Sequence, residues 1–171
     1  SLLPCRIHSF FRGLPGLWAC MDPDCSGLDA AERDAPIGKL YGQPRDRCEC
    51  GAPVLEYYTC RHCGTSYARA YTNNVVNPQY IWANSGERLQ TDAGVFAALQ
   101  PLDLLLEDPA TPERGRAATY DLLTGRLNPA IPSKKSRLVY LRPEAGDRDD
   151  AEDAEGGGSR RPGEFAPCGR C

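Results

Sequence analysis

The stretch that decides the fold is Cys48-Glu49-Cys50-Gly51-Ala52-Pro53-Val54-Leu55-Glu56-Tyr57-Tyr58-Thr59-Cys60-Arg61-His62-Cys63-Gly64. It holds two close cysteine pairs, a CxC and a CxxC, separated by a run rich in β-branched and aromatic residues. Two thiolates on adjacent corners of a tetrahedron must both lie about 2.3 Å from a zinc ion, and a tight turn delivers them there. Gly51 and Gly64 directly follow the second cysteine of each pair. Glycine at that point lets the chain take a positive φ and turn its amides towards sulfur.

Working outward, two further pairs appear. Cys20 and Cys25 form a CxxxxC, and Cys168 and Cys171 close the sequence with a second CxxC. Eight of the nine cysteines are therefore paired. Four pairs make two sites, and we expect two structural Zn2+ ions held by Cys20, Cys25, Cys48, Cys50, Cys60, Cys63, Cys168 and Cys171. Proximity in sequence favours one local site of Cys48, Cys50, Cys60 and Cys63. The second site would then join Cys20 and Cys25 to Cys168 and Cys171. A partition of Cys20 and Cys25 with Cys60 and Cys63 stays open. Cys5 is left over and reads as a small residue of a strand. Vicinal pairs make a poor disulfide framework, and no βαβ pattern surrounds either CxxC as a redox motif requires.

The composition explains why such cross-links are needed. Of 171 residues 41% are hydrophobic, with 17 Gly and 15 Pro, so much backbone is turn and little apolar area is buried per residue. Structural zinc supplies about 10–16 kcal/mol of folding free energy per site, which such a chain can use. The net charge of −3 is not that of a free-standing nucleic-acid binder. No apolar run approaches the ~20 residues of a membrane span, so no membrane role is expected. The sequence opens on Ser1 and stops on Cys171 inside a knuckle. We expect a piece of a longer, cytoplasmic protein.

The fold class expected is mainly β with irregular loops, built as small zinc-ribbon-like modules with few short helices. Residues 5–20 read as two short strands around Leu14-Pro15-Gly16, and residues 26–37 as loop. Lys39-Leu40-Tyr41, Pro53–Thr59, Ser66–Thr72 and Arg137–Leu141 read as strands. Residues 89–107 are ambiguous: Val95–Leu99 has helical composition, and Leu102–Leu106 fits a strand or a helical turn. Thr124-Gly125 marks a hairpin turn. This gives a cysteine-rich module over 1–72, a loop-rich β extension over 73–143, an acidic and Gly-rich linker over 144–163, and the start of a knuckle over 164–171.

No catalytic centre is legible. His8 and His62 are the two histidines; His62 lies inside a CxxC, where intervening residues point outward, and His8 sits among aromatics. A catalytic zinc keeps an open position and usually a His or carboxylate beside it. GxxxxGK[ST], GxSxG and HExxH are absent. Glu56 and Asp121 read as surface residues. Trp18, Tyr57, Tyr58, Tyr67 and Tyr71 offer stacking faces for bases and Arg12, Arg61 and Arg69 offer charge for phosphates, but the simpler reading makes them core and solvated surface.

Several segments together resemble large bacterial DEAD/DEAH-box superfamily 2 helicases. They are His8, Phe10-Phe11-Arg12, Gly16–Cys20 with Cys25, Gly38–Tyr41, Cys48–Glu56, Tyr58–Gly64, Leu122–Gly125 and Pro167–Cys171. The resemblance is specific over residues 5–64 and loose between 73 and 165. It implies a cysteine-rich insertion between two RecA-like motor lobes of an ATP-dependent helicase or translocase acting on DNA or RNA, in genome defence or repair. ATP and Mg2+ would then bind in the flanking lobes, because no ATPase motif falls in these residues. The acidic, glycine-rich stretch from Glu144 to Pro162 departs from that pattern. A different class, a non-enzymatic zinc-ribbon adaptor that binds protein, fits the near-neutral charge.

Overall fold

The computed structural model describes residues 16–29, 31, 34–85, 89–90, 96–97, 99–143, 163–165 and 167–171. Cys5, His8, Arg12 and the first expected strand lie outside the described residues, as does almost all of the 144–163 stretch.

The fold is mainly β. Among the described residues nine strands follow in order: β1 (Trp18–Cys20), β2 (Leu40–Tyr41), β3 (Val54–Thr59), β4 (Ser66–Thr72), β5 (Leu89–Gln90), β6 (Phe96–Ala97), β7 (Gln100–Leu105), β8 (Arg116–Asp121) and β9 (Ser136–Leu141). Seven of them form one sheet in the order β2-β1-β3-β4-β7-β9-β8, and β5 and β6 form a separate two-stranded ribbon. Every pairing is antiparallel. The described helical structure includes a short 3-10 turn at Pro112–Arg114. Phe96–Ala97, expected from its composition to lean helical, pairs with Leu89–Gln90 instead. Pro101 closes off helix extension from that side, because the residue before a proline is pushed into extended backbone.

The register places the core. Ala68 and Ala70 of β4 lie opposite Leu104 and Leu102 of β7, with Tyr57 of β3 across from Ala68. Ala68, Ala70 and Leu104 are wholly buried, and Leu102 is nearly so. Small residues on the central strand let the leucines of its neighbour fill the layer. The other face of β4 carries Tyr67, Arg69 and Tyr71, the alternation that the sequence displays. There Tyr67 stacks on Tyr58 with ring centroids 5.3 Å apart, and Arg69 bonds Asp103 directly across the strand pair at 3.1 Å. β4 meets β7 along six residue pairs, so the sheet runs without a break across position 72.

Asp121 corrects a sequence expectation. It is buried at 1% exposure rather than at the surface. Its carboxylate accepts from the N–H groups of Leu123 (2.9 Å), Thr124 (3.1 Å) and Ser133 (2.8 Å), and from the Ser133 hydroxyl (2.9 Å). These bonds fold the Thr124-Gly125 turn, where Gly125 has φ +76°. Burial pushes the Asp121 carboxyl up, but the donors outweigh it and hold its pKa at about 2. A depressed folded pKa stabilises above the unfolded value of ~3.9 and is lost as pH falls towards 2. Asp121→Ala should cost about 2–4 kcal/mol at pH 7, since three amides lose their acceptor. The difference from wild type should shrink on acidification from pH 5 to 2, as read by denaturant midpoints.

Candidate metal centres

Three of the four knuckles flank β1 and β3, and the fourth, Cys168–Cys171, lies in the C-terminal segment. β1 ends in Cys20, and the next turn brings Cys25 back: its N–H donates to the Asp22 carbonyl at 3.2 Å. β1 runs beside β3 with Cys20 opposite Val54. That pairing lays the Cys20–Cys25 turn against the Cys48–Cys50 turn, which leads into the start of β3. Cys60 and Cys63 lie at the other end of β3, in the turn to β4. The positive φ values at Gly51 (+87°) and Gly64 (+76°) close these two turns as expected.

The eight thiols fall into two tetrads, Cys20/Cys25/Cys48/Cys50 and Cys60/Cys63/Cys168/Cys171, with the sulfurs of each within 4.8 Å of one another. This corrects the expected partition. The second and third pairs, the nearest in sequence, do not share a site, because the six residues of β3 (Val54–Thr59) separate Cys50 from Cys60 by about 20 Å of extended chain. The pairs combine instead first with second and third with fourth. Neither the Cys48/Cys50/Cys60/Cys63 grouping nor a Cys20/Cys25/Cys60/Cys63 grouping forms.

The sulfur spacing fits a tetrahedral ion. Cys20 to Cys50 is 3.5 Å and Cys25 to Cys48 is 3.6 Å. Cys60 to Cys171 and Cys63 to Cys168 are both 3.7 Å. Zn–S bonds of about 2.3 Å at tetrahedral angles set an edge of about 3.8 Å. A disulfide needs about 2.05 Å, and these cysteines are free. The electrostatics agree. Burial pushes the Cys20 and Cys50 thiols up, and the hydrogen bonds that the Cys171 thiol donates to Cys63 and Cys60 push it up to about 12. Four thiolates cannot ionise together at this range unless a cation sits among them.

Each tetrad also has a tyrosine on one sulfur. The Tyr41 hydroxyl donates to Cys48 Sγ at 3.1 Å. Tyr67 donates to Cys168 Sγ at 3.0 Å while accepting from the Gly169 N–H at 2.9 Å. Burial raises both thiols, yet these donors prevail and bring Cys48 down to about 7 and Cys168 down to about 6. The N–H of Gly27 and that of Arg170 each reach a sulfur at 3.4 Å, and the Thr65 hydroxyl lies 2.9 Å from Cys63 Sγ. Such second contacts orient ligands and tune their basicity. Near the first tetrad, Lys135 bonds Asp22 (3.0 Å) and the Cys50 carbonyl (2.8 Å). Arg137 donates to the carbonyls of Met21 (3.0 Å), Pro36 (2.6 Å) and Leu106 (3.0 Å). These two cations offset the excess negative charge that four thiolates leave on a divalent ion.

Sequence reasoning missed Tyr41, Tyr67, Thr65, Lys135 and Arg137, and also Gly38. A Cβ at Gly38 would lie 2.5 Å from the Asp22 carbonyl oxygen and 2.7 Å from Cys25 Cβ. Gly38→Ala should therefore push the first knuckle open, costing about 2–3 kcal/mol and lowering zinc content by one ion per chain. Metal analysis beside a thermal melt reads both.

The two centres differ in exposure. Cys20, Cys25 and Cys48 are buried, whereas Cys63 and Cys171 are exposed. Around the second tetrad, hydrogen bonds hold the C-terminal segment down. Phe165 N–H donates to Asp103 (3.1 Å), Asp103 N–H to the Gly163 carbonyl (2.9 Å), and Arg114 to the Cys171 carbonyl (2.8 Å). Arg170 pairs with Glu107. His62 is exposed and belongs to neither tetrad. Among the described residues each set is four thiols, with no carboxylate or imidazole in it to mark an open position. The ions such sites hold are structural.

The YjiV N-terminal domain pattern matches residues 40–171. The chain belongs to that family. It is also 35% identical over 146 residues to Druantia protein DruE of Escherichia coli (strain UMEA 4076-1). The match takes in 82% of this chain but 8% of that protein, so the chain spans a small part of the relative's length. No solved structure matches the chain. The family match begins at β2 and covers three of the four knuckles, while Cys20 and Cys25 precede it. No helix among the described residues is long and apolar enough to cross a membrane.

Proposed function

We propose that this chain is a zinc-stabilised accessory module of a much longer ATP-dependent DEAD/DEAH-box nucleic-acid helicase. It is non-catalytic by itself, and it braces the flanking RecA-like lobes or guides nucleic acid between them. The observation that carries the reading is the pair of closed, all-cysteine tetrads fastened to one continuous sheet. Such sites stiffen a fold and leave chemistry to other parts of a protein. The small share of DruE that the chain matches supports a module within a larger whole. The helicase assignment itself rests on the resemblance of the knuckle segments. ATP and Mg2+ would bind in the lobes and not here.

The aromatic candidates divide under this reading. Tyr58, Tyr67 and Arg69 are engaged with one another, with Phe165 and with Asp103, so they serve the fold. Arg61 is exposed. The test is titration of labelled single strands and duplexes, DNA and RNA, with the zinc-loaded chain. Binding should weaken steeply between ~50 and 200 mM salt. A flat response, or none, would leave only the bracing role or the protein adaptor.

A further inference from the structure

The loop after β4 and the turn after β8 enclose a cleft of about 780 Å³, lined by Asn73, Asn74, Asn77, Gln79, Tyr80, Arg126 and Asn128 among others. Among the described residues five carboxamides line it and no carboxylate does. A carboxamide presents both donors and an acceptor, so an array of them suits a flat, neutral ligand whose edge offers both. Unpaired nucleobases have such edges.

Two of the amides hold the cleft's shape. Asn74 Oδ1 accepts from Val76 N–H (3.0 Å) and Asn77 N–H (3.1 Å). Asn128 sits at φ +47°, the one positive-φ residue other than glycine among the described residues. Its Oδ1 accepts from Thr119 N–H at 2.8 Å, which leaves its amide hydrogens unspent. The side chains of Asn73, Asn77, Gln79 and Arg126 make no hydrogen bond or ion pair among the described residues, and all four are exposed. Tyr80 is braced by Trp82, with ring centroids 4.6 Å apart, and by Gly125, where a Cβ would approach its ring to 3.1 Å. A fixed aromatic ring, uncommitted amides and an unpaired guanidinium are the three elements of a single-strand site: stacking, edge readout and phosphate contact.

We infer that this cleft binds single-stranded nucleic acid, seating an unpaired base against Tyr80 and its amides with Arg126 on a phosphate. The inference rests on the nucleic-acid part of the proposed function and assigns it a place remote from the thiol tetrads.

The experiment uses a fluorescent mixed-sequence 12-nucleotide DNA strand, and its RNA counterpart, in polarisation titrations at ~100 mM salt. The wild-type chain is compared with Asn77→Ala/Arg126→Ala, with Tyr80→Leu, and with Arg61→Ala as an equal charge loss outside the cleft. Exposed side chains without internal bonds can be changed without unfolding, and zinc content and melting temperature check this. The double variant should weaken binding about 10-fold or more and Tyr80→Leu about 5- to 100-fold, while Arg61→Ala changes it less than about 3-fold. Wild-type binding that survives in the double variant would overturn the cleft and leave the proposed function standing. Absence of wild-type binding to either strand would overturn the cleft together with the nucleic-acid part of the proposed function, and leave the bracing role.

Discussion

Cys48→Ser is expected to release one of two zinc ions per chain and to lower the unfolding temperature by about 10 °C or more. Cys48 lies in the core cluster with Ala19, Met21, Ile37 and Val54, so its tetrad is part of the interior and not an appendage. Serine keeps the size but not the thiolate. Removing one member of a buried charged cluster costs about 3–5 kcal/mol, and each kcal/mol shifts the melt of a chain this size by about 2–4 °C. The β1–β2 edge should loosen first, since β1 meets β3 along three residue pairs, against six between β4 and β7. Metal content by emission spectrometry and calorimetric melting give the answer. Cys5→Ser should retain both ions. A Cys48→Ser chain that still carries two would show that the first tetrad is not a metal site.

Chelation should separate the two centres. The second tetrad should surrender its ion first, because Cys63 and Cys171 are exposed and a chelator can approach them without unfolding the sheet. The first requires an opening of the β1–β3 edge. A competing chelator dye should therefore report two phases of equal amplitude, separated in rate by about 100-fold or more if local opening costs about 3 kcal/mol. Thiol labelling with mass mapping assigns them: Cys60, Cys63, Cys168 and Cys171 should react in the fast phase. Cys60→Ser should abolish the fast phase and keep the slow one. A single phase, or labelling of Cys20 and Cys25 first, would contradict the asymmetry. Acid should act in the same direction, since protons compete with metal for thiolates.

Much of the strand pattern was legible. Pro53–Thr59 is a run of β-forming residues, Ser66–Thr72 alternates large residues at Tyr67, Arg69 and Tyr71, and both gave central strands. The eight clustered cysteines were legible too, because spacing alone marks them. Their partition was not, because it depends on which strand lies beside which. Cys20 reaches Cys50 only through the β1–β3 pairing, and no local pattern encodes that. A length argument was nevertheless within reach: a six-residue strand between Cys50 and Cys60 is too long for one ion to serve both. Tyr41 and Tyr67 looked like ordinary strand aromatics, and only the tertiary structure turns their hydroxyls onto sulfur. Asp121 was misread because a polar residue before a turn is normally solvated, whereas here the 133–136 segment folds over it.

The succession of the tetrads along the chain also sets an order in time. The first set of ligands is complete once residue 50 has been synthesised, and β3 follows within nine residues. The second set spans from residue 60 to residue 171, so Cys60 and Cys63 must wait for more than a hundred further residues. At translation rates of about 5–20 residues per second that interval lasts several seconds or more. During it a nascent CxxC stands open to oxidants and to the wrong metal. The Thr65 hydroxyl on Cys63 and the Gly64 N–H on the Cys60 carbonyl, at 2.9 Å, are local contacts that can form as soon as the turn emerges. They hold half of a coordination shell in shape for a partner that has not yet been made.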